Sequence, residues 1–191
     1  MCRIIGTYFT EKMYPYYFLT INIYFSFVSV FINKENFMEE KSQIYLNKYL
    51  NSLSEIERKK YQSFSSDYFC ADEHNANLCA ELIRSGQKTA TCSLNYWYVS
   101  EKELMPVNGH LQVVVDWNGE PICIIEIDSV ETCKYNEVSA EFAYAEGEGD
   151  RSLKWWRETH WHYFATECSA FNIVPSEDMV LVLERFHVVY R

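Results

Sequence analysis

Apolar residues recur at helical spacing near the start of the polar part of the chain. Between Ser42 and Tyr61 they are Ile44, Leu46, Tyr49, Leu50 and Leu53, and Ser54 with Glu57 has the form of a capping box inside that stretch. Ser65, Ser66 and Asp67 read as a loop. A second amphipathic helix follows, with Asp72 as N-cap, Ala76, Cys79, Leu82 and Ile83 on one face, and Gly86 as its stop. The pattern then turns to strand. Thr89–Leu94, His110–Trp117 and Pro121–Val130 are rich in β-branched residues, and Asn118-Gly119 between the last two is a hairpin signal. A short helix over Ser139–Tyr144 and a longer one over Arg151–Ala170 come next. The longer one carries Leu153, Trp156, His160, Tyr163 and Phe164 on one face. Met179–Val189 closes the chain as a strand. Helices precede strands, with one helical insertion, so the fold class is α+β rather than alternating βαβ. A small curved or barrel-like sheet with helices over its openings fits this order.

Residues 1–37 stand apart from this body at 38–191. Tyr14–Ile32 is an uncharged run, just long enough for a membrane span and without a small-residue cleavage site after it. It reads as an extension upstream of the natural start, a poorly ordered segment, a membrane anchor, or an element packed on the body. Membrane contact is expected only through residues 14–32.

The 191 residues carry a formal charge of −10. Residues 1–37 hold three basic and two acidic side chains, which leaves 14 and 25 in the body, a net of −11. Such a surface disfavours long-range capture of a phosphate backbone, and no DNA partner is expected. The cysteine count is seven, an odd number, with no C-x-x-C pair. They read as reduced, partly buried thiols of a cytoplasmic protein. His160 and His162 are two apart on a helix and face different ways. With no zinc spacing and no nucleotide loop, neither metal nor cofactor is expected.

Two segments carry candidate chemistry. In Gly86-Gln87-Lys88-Thr89-Ala90-Thr91 a lysine follows a helix-ending glycine at the mouth of a strand. A partly desolvated Lys88 would lose basicity and could accept a proton. The bland alternative is a solvated lysine beside threonines chosen for β propensity. In Glu146-Gly147-Glu148-Gly149-Asp150-Arg151-Ser152 glycine lets the backbone bend so that either carboxylate could face a cavity, with Asp150 a natural N-cap. Solvation or capping is the alternative for each acid. Trp97, Trp155, Trp156 and Trp161 could stack on a base, or simply fill the core.

These residues resemble a known family. The first segment is similar to the G-x-K-T-x-T stretch of ASCH-domain proteins. Phe142 to Leu153, followed by Trp156-Arg157 and His160 and preceded by Asn136-Glu137-Val138, resembles one larger bacterial subgroup of that superfamily. The likeness covers about Lys41 to Val189. It implies a PUA-like fold, a small curved β-barrel flanked by helices, with a cleft for RNA or a modified nucleoside. A smaller relative hydrolyses the acetyl amide of N4-acetylcytidine with a lysine, a threonine and a glutamate. On this chain those match Lys88, Thr91 and Glu148, with Glu146 as the other register. Thr89, Trp97, Glu146, Arg151 and Trp156 are the implied ligand-binding residues. The resemblance leaves three readings open: a hydrolase or binder of a nucleoside-type ligand, a non-catalytic RNA-binding module, and a ribonuclease.

Overall fold

The computed structural model describes residues 38–191 with the exception of Ala71. Residues 1–37, including the uncharged run at 14–32, lie outside the described residues. No helix among those described is long and apolar enough to cross a membrane.

The helical pattern at the start resolves into α1 (Glu40–Ser52) and a single turn, α2 (Glu55–Arg58). They part at Leu53, whose backbone is extended, and Ser54 then forms the reciprocal capping box with Glu57. The expected loop at 65–67 is instead a strand, β1 (Phe64–Asp67). Its hydroxyls are used locally: Ser66 donates to Ser42 of α1, and Ser63 and Ser65 flank the two ring nitrogens of His110, each at 2.7 Å. Asp72 caps α3 (Glu73–Ser85), and Gly86 ends it with a left-handed backbone.

Next come β2 (Ala90–Leu94), α4 (Tyr96–Val99), β3 (Leu111–Val115) and β4 (Pro121–Lys134). The β3–β4 turn is closed by Gly119 N–H donating to the Asp116 carbonyl. Gly119 has positive φ and Asn118 does not, so the turn is not built from two left-handed residues, and the strand register shifts between Val114 and Val115 just before it. The chain ends with α5 (Ala140–Glu146), α6 (Leu153–Ala170) and β5 (Val180–Tyr190). Asp150 does not cap α6. Ser152 does, its side chain accepting from Trp155 N–H, while Asp150 accepts from Ser152 N–H.

The five strands form one mixed sheet in the order β1-β3-β4-β5-β2, with only β1–β3 parallel. The ladder is open: β1 and β2 are its edges, so the expected barrel closure is not made. One face carries two clusters. α1 lays Leu46 and Tyr49 on Leu111, Val113, Val115 and Ile124. α5 and α6 bring Phe142, Ala143, Trp156, Phe164 and Cys168 onto Ala90, Cys92, Leu94 and Leu181. On the opposite face α3 packs Cys79, Ala80 and Ile83 against Val114, Ile125, Ile127 and Phe186. Side chains alternate between faces along each strand, so β4 and β5 serve both layers.

Candidate functional site

The two segments of interest meet at the N-terminal end of β2. Residues 87–89 leave α3 and run against residues 145–147 at the end of α5. Thr89 N–H donates to the Ala145 carbonyl at 2.8 Å, and the Gln87 side-chain amide donates to the Gly147 carbonyl at 2.7 Å. Gly147 makes this approach possible. Its φ is +74°, and a Cβ there would lie 2.5 Å from the Gln87 carbonyl oxygen.

Lys88 extends from this seam into the protein and is fully buried. Its ammonium contacts Glu146 Oε2 at 2.6 Å, Glu148 Oε1 at 2.9 Å and the Glu146 carbonyl at 3.3 Å. An ammonium has three donors, so all are engaged. Glu146 ends α5, where the helix dipole also favours a cation. Burial alone would push the Lys88 pKa down, but the two carboxylates override it and hold it well above the ordinary lysine range. Burial would likewise raise Glu146 and Glu148, and Lys88 reverses this, keeping both below the usual carboxylate range. One cation thus faces two anions. Glu148 is the least buried of the three, 6% exposed against 1% for Glu146 and 0% for Lys88.

α6 supplies the wall behind Glu146. The Trp156 indole N–H donates to Glu146 Oε1 at 3.3 Å, and His160 Nε2 lies 3.6 Å from the same oxygen. The two rings stack at 4.3 Å, as residues four apart on a helix can. His160 Nδ1 donates to the Trp156 carbonyl, and burial holds its pKa far below the ordinary histidine range, so the ring is neutral. Two sets of potential metal ligands converge here: Cys70, Cys79 and Glu148, and Cys92, Glu146 and His160, each within 4.8 Å. In both, the carboxylate is already in contact with the Lys88 ammonium, which a dication would have to displace.

A family model described as the ASCH domain matches residues 65–190. The chain belongs to the ASCH-domain family. A solved ASCH domain from Lactobacillus crispatus JV V101 is similar at 60% identity and a TM-score of 0.79, covering 81% of this chain and 97% of that one. A protein from Enterococcus faecalis V583, assigned to a family of unknown function, is similar at 29% identity and a TM-score of 0.67, covering 78% and 88%. No curated protein matches the chain.

Of the residues expected to form the site, this ASCH domain brings Lys88, Glu146, Glu148 and Trp156 together. Glu146 and Glu148 do not alternate; they share the same lysine. Thr89 reaches the Ala145 carbonyl at 3.4 Å through its hydroxyl. Thr91 is buried on β2, and its hydroxyl makes no hydrogen bond. Trp97 lies elsewhere, edge-on to Phe171 at 4.7 Å with its indole N–H on Glu167. Arg151, at φ 63°, lies over the Tyr144 ring at 3.5 Å and donates to the Tyr144 carbonyl. Lys88 is not the weakened base that the sequence suggested, because two carboxylates rather than one meet it. His160 was missed as a member of the site. Its four-residue spacing from Trp156 was the signal.

Proposed function

We propose that this ASCH domain binds a small nucleoside-type ligand and hydrolyses an amide on it, of the kind found in an N4-acylated cytidine. The observation that carries the reading is the buried Lys88–Glu146–Glu148 triad, with Glu148 as its most accessible member. Perturbed charges held at the meeting of two motif-bearing segments are what a reactive site requires.

The triad divides the work differently from the simplest lysine-base scheme. Lys88 has no donor to spare and its proton is held firmly, so it acts as a charge anchor. It keeps Glu148 ionised and fixes its position. An ionised Glu148 accepts a hydrogen bond from the ligand's N–H and orients the amide. Thr91, whose hydroxyl has no protein partner, is the nucleophile.

Purified protein incubated with acetylated cytidine is expected to release acetate and cytidine, and Glu148→Gln is expected to slow release by about 100-fold, as loss of an orienting contact can. Absence of turnover across a panel of acylated nucleosides overturns the catalytic reading. Binding of single-stranded RNA with a steep salt dependence would point instead to an RNA module.

A further inference from the structure

A second group of reactive side chains stands at the other edge of the sheet, where β1 runs parallel to β3. Ser63 Oγ lies 2.7 Å from His110 Nδ1, and Ser65 Oγ lies 2.7 Å from His110 Nε2. A hydroxyl in hydrogen-bond contact with an imidazole nitrogen is the pairing that activates a serine, provided a third group holds the ring. The backbone decides which serine does which. Ser63 precedes β1, and its carbonyl accepts from Leu111 N–H at 3.1 Å, which ties it beside the ring. Ser65 lies on β1, directly opposite Gln112 of β3. Ser66 donates to Ser42 of α1, and Leu111 and Val113 pack beneath α1. By alternation Ser65 and Gln112 share the other face, where His110 meets Ser65. Gln112 is 1% exposed, and neither its amide oxygen nor its amide nitrogen has a hydrogen-bond partner among the described residues. A buried amide left unpaired is costly and calls for an explanation. A ligand oxygen that accepts from its nitrogen supplies one. Ser65 is itself only half-buried, on an edge strand, and β3, β4 and β5 separate it from β2 and the Lys88 site.

We propose that Ser65 and His110 form a second nucleophilic centre, one that hydrolyses carboxylic esters, with Gln112 as donor to the oxyanion and Ser63 as the positioning residue for the ring. The inference is independent of the amide-hydrolase reading at Lys88. With the ring proton on Nδ1, His110 donates to Ser63 and its Nε2 accepts from Ser65. Ser65 Oγ attacks the ester carbonyl carbon, and its proton passes to Nε2. The negative oxygen of the tetrahedral adduct accepts from the Gln112 amide. The C–O bond to the alcohol breaks, and Nε2 returns the proton to the departing oxygen. Water then attacks the acyl–serine ester, losing a proton to Nε2. The bond to Oγ breaks, Ser65 recovers that proton, and the carboxylic acid leaves. A hydroxyl in place of a carboxylate behind the ring gives the imidazolium less support. The centre is therefore suited to esters with good leaving groups rather than to amides.

The test uses an alkyl fluorophosphonate, which phosphonylates activated serines with loss of fluoride, and peptide mass spectrometry to locate the adduct. Wild-type protein is expected to carry it on Ser65, at a rate that falls on the acid side as the ring is protonated. His110→Gln, checked for folding by circular dichroism, is expected to slow labelling by about 100-fold or more. Ser65→Ala is expected to bring hydrolysis of p-nitrophenyl butyrate down to the buffer rate. No adduct on Ser65 of wild-type protein, an adduct on Thr91 in its place, or unchanged labelling of folded His110→Gln overturns the proposal. So does labelling of Ser65 without ester turnover. If His110→Gln does not fold, the wild-type labelling rate against pH decides, and a flat profile overturns the proposal. An inert Ser65 in a protein that releases acetate from acetylated cytidine removes this centre and keeps the Lys88 reading; a labelled, ester-cleaving Ser65 in a protein inert toward acylated nucleosides does the reverse.

Discussion

At the residue scale, two buried glutamate environments lead to opposite outcomes. Glu148 is held ionised by an ammonium. Glu167, on α6, has no such partner. Its Oε1 accepts from Trp97 and Tyr163, Oε2 accepts from nothing, and burial raises its pKa to about 7. Between the ordinary value of 4.5 and about 7 the folded form binds more protons than the unfolded form, so this residue's contribution to stability is lost as pH rises through that window. By about pH 8 the cost is on the order of 2–3 kcal/mol. Glu167→Gln is therefore expected to raise Tm at pH 8 and to change it little at pH 5, as thermal melts at the two pH values would show. Lys88→Met should act in the other direction. It leaves two carboxylates buried without their cation, and urea denaturation at pH 7 is expected to show a loss of about 3–5 kcal/mol.

At the scale of elements, the glycines at two helix ends separate conformational demand from steric demand. Gly86 and Gly147 both end helices with positive φ, 79° and 74°. A Cβ at Gly86 meets nothing within 4 Å, whereas one at Gly147 collides with the Gln87 and Lys88 backbone. Gly86→Ala is expected to cost about 1 kcal/mol, and Gly147→Ala several times that, because the seam beneath Lys88 must open. Denaturant midpoints of the two variants give the comparison. Much of this was legible in the sequence. Asp72, Gly86 and the Ser54 capping box mark helix ends through local chemistry, and the lysine and acidic-loop segments stood out before any contact was known. β1 was not legible, because its Ser-Ser-Asp stretch has no apolar alternation and it exists only by pairing with β3, 47 positions later. The faces of β5 were equally hidden: Val180–Leu183 is apolar on both sides, so nothing local assigned Glu184 to the face of Thr91. The shared use of Lys88 by two glutamates depends on a contact across about 60 residues, which no local pattern encodes.

At the scale of the whole molecule, the acid side of the pH profile follows from the site. Glu146, Glu148 and His160 all bind fewer protons folded than unfolded. Their contribution is present at neutral pH and is lost as pH falls, below about 6.5 for the histidine and below about 4.5 for the carboxylates. Glu167 runs against the histidine above pH 4.5 and is protonated in both states below it. Denaturation curves are therefore expected to show a modest pH dependence from 7 to 5 and a steep loss below 4.5. The same seam has a kinetic meaning. The α3–β2 junction and the end of α5 are clasped by hydrogen bonds around a buried ion pair, and separating them halfway would strand charge in the interior. The two segments must open together or stay closed. In hydrogen–deuterium exchange, the amides of Lys88 and Thr89 are expected to be released only with global unfolding, while those of the β1 edge exchange through local fraying. An enzyme or binder built this way would meet its ligand with this seam as a fixed floor.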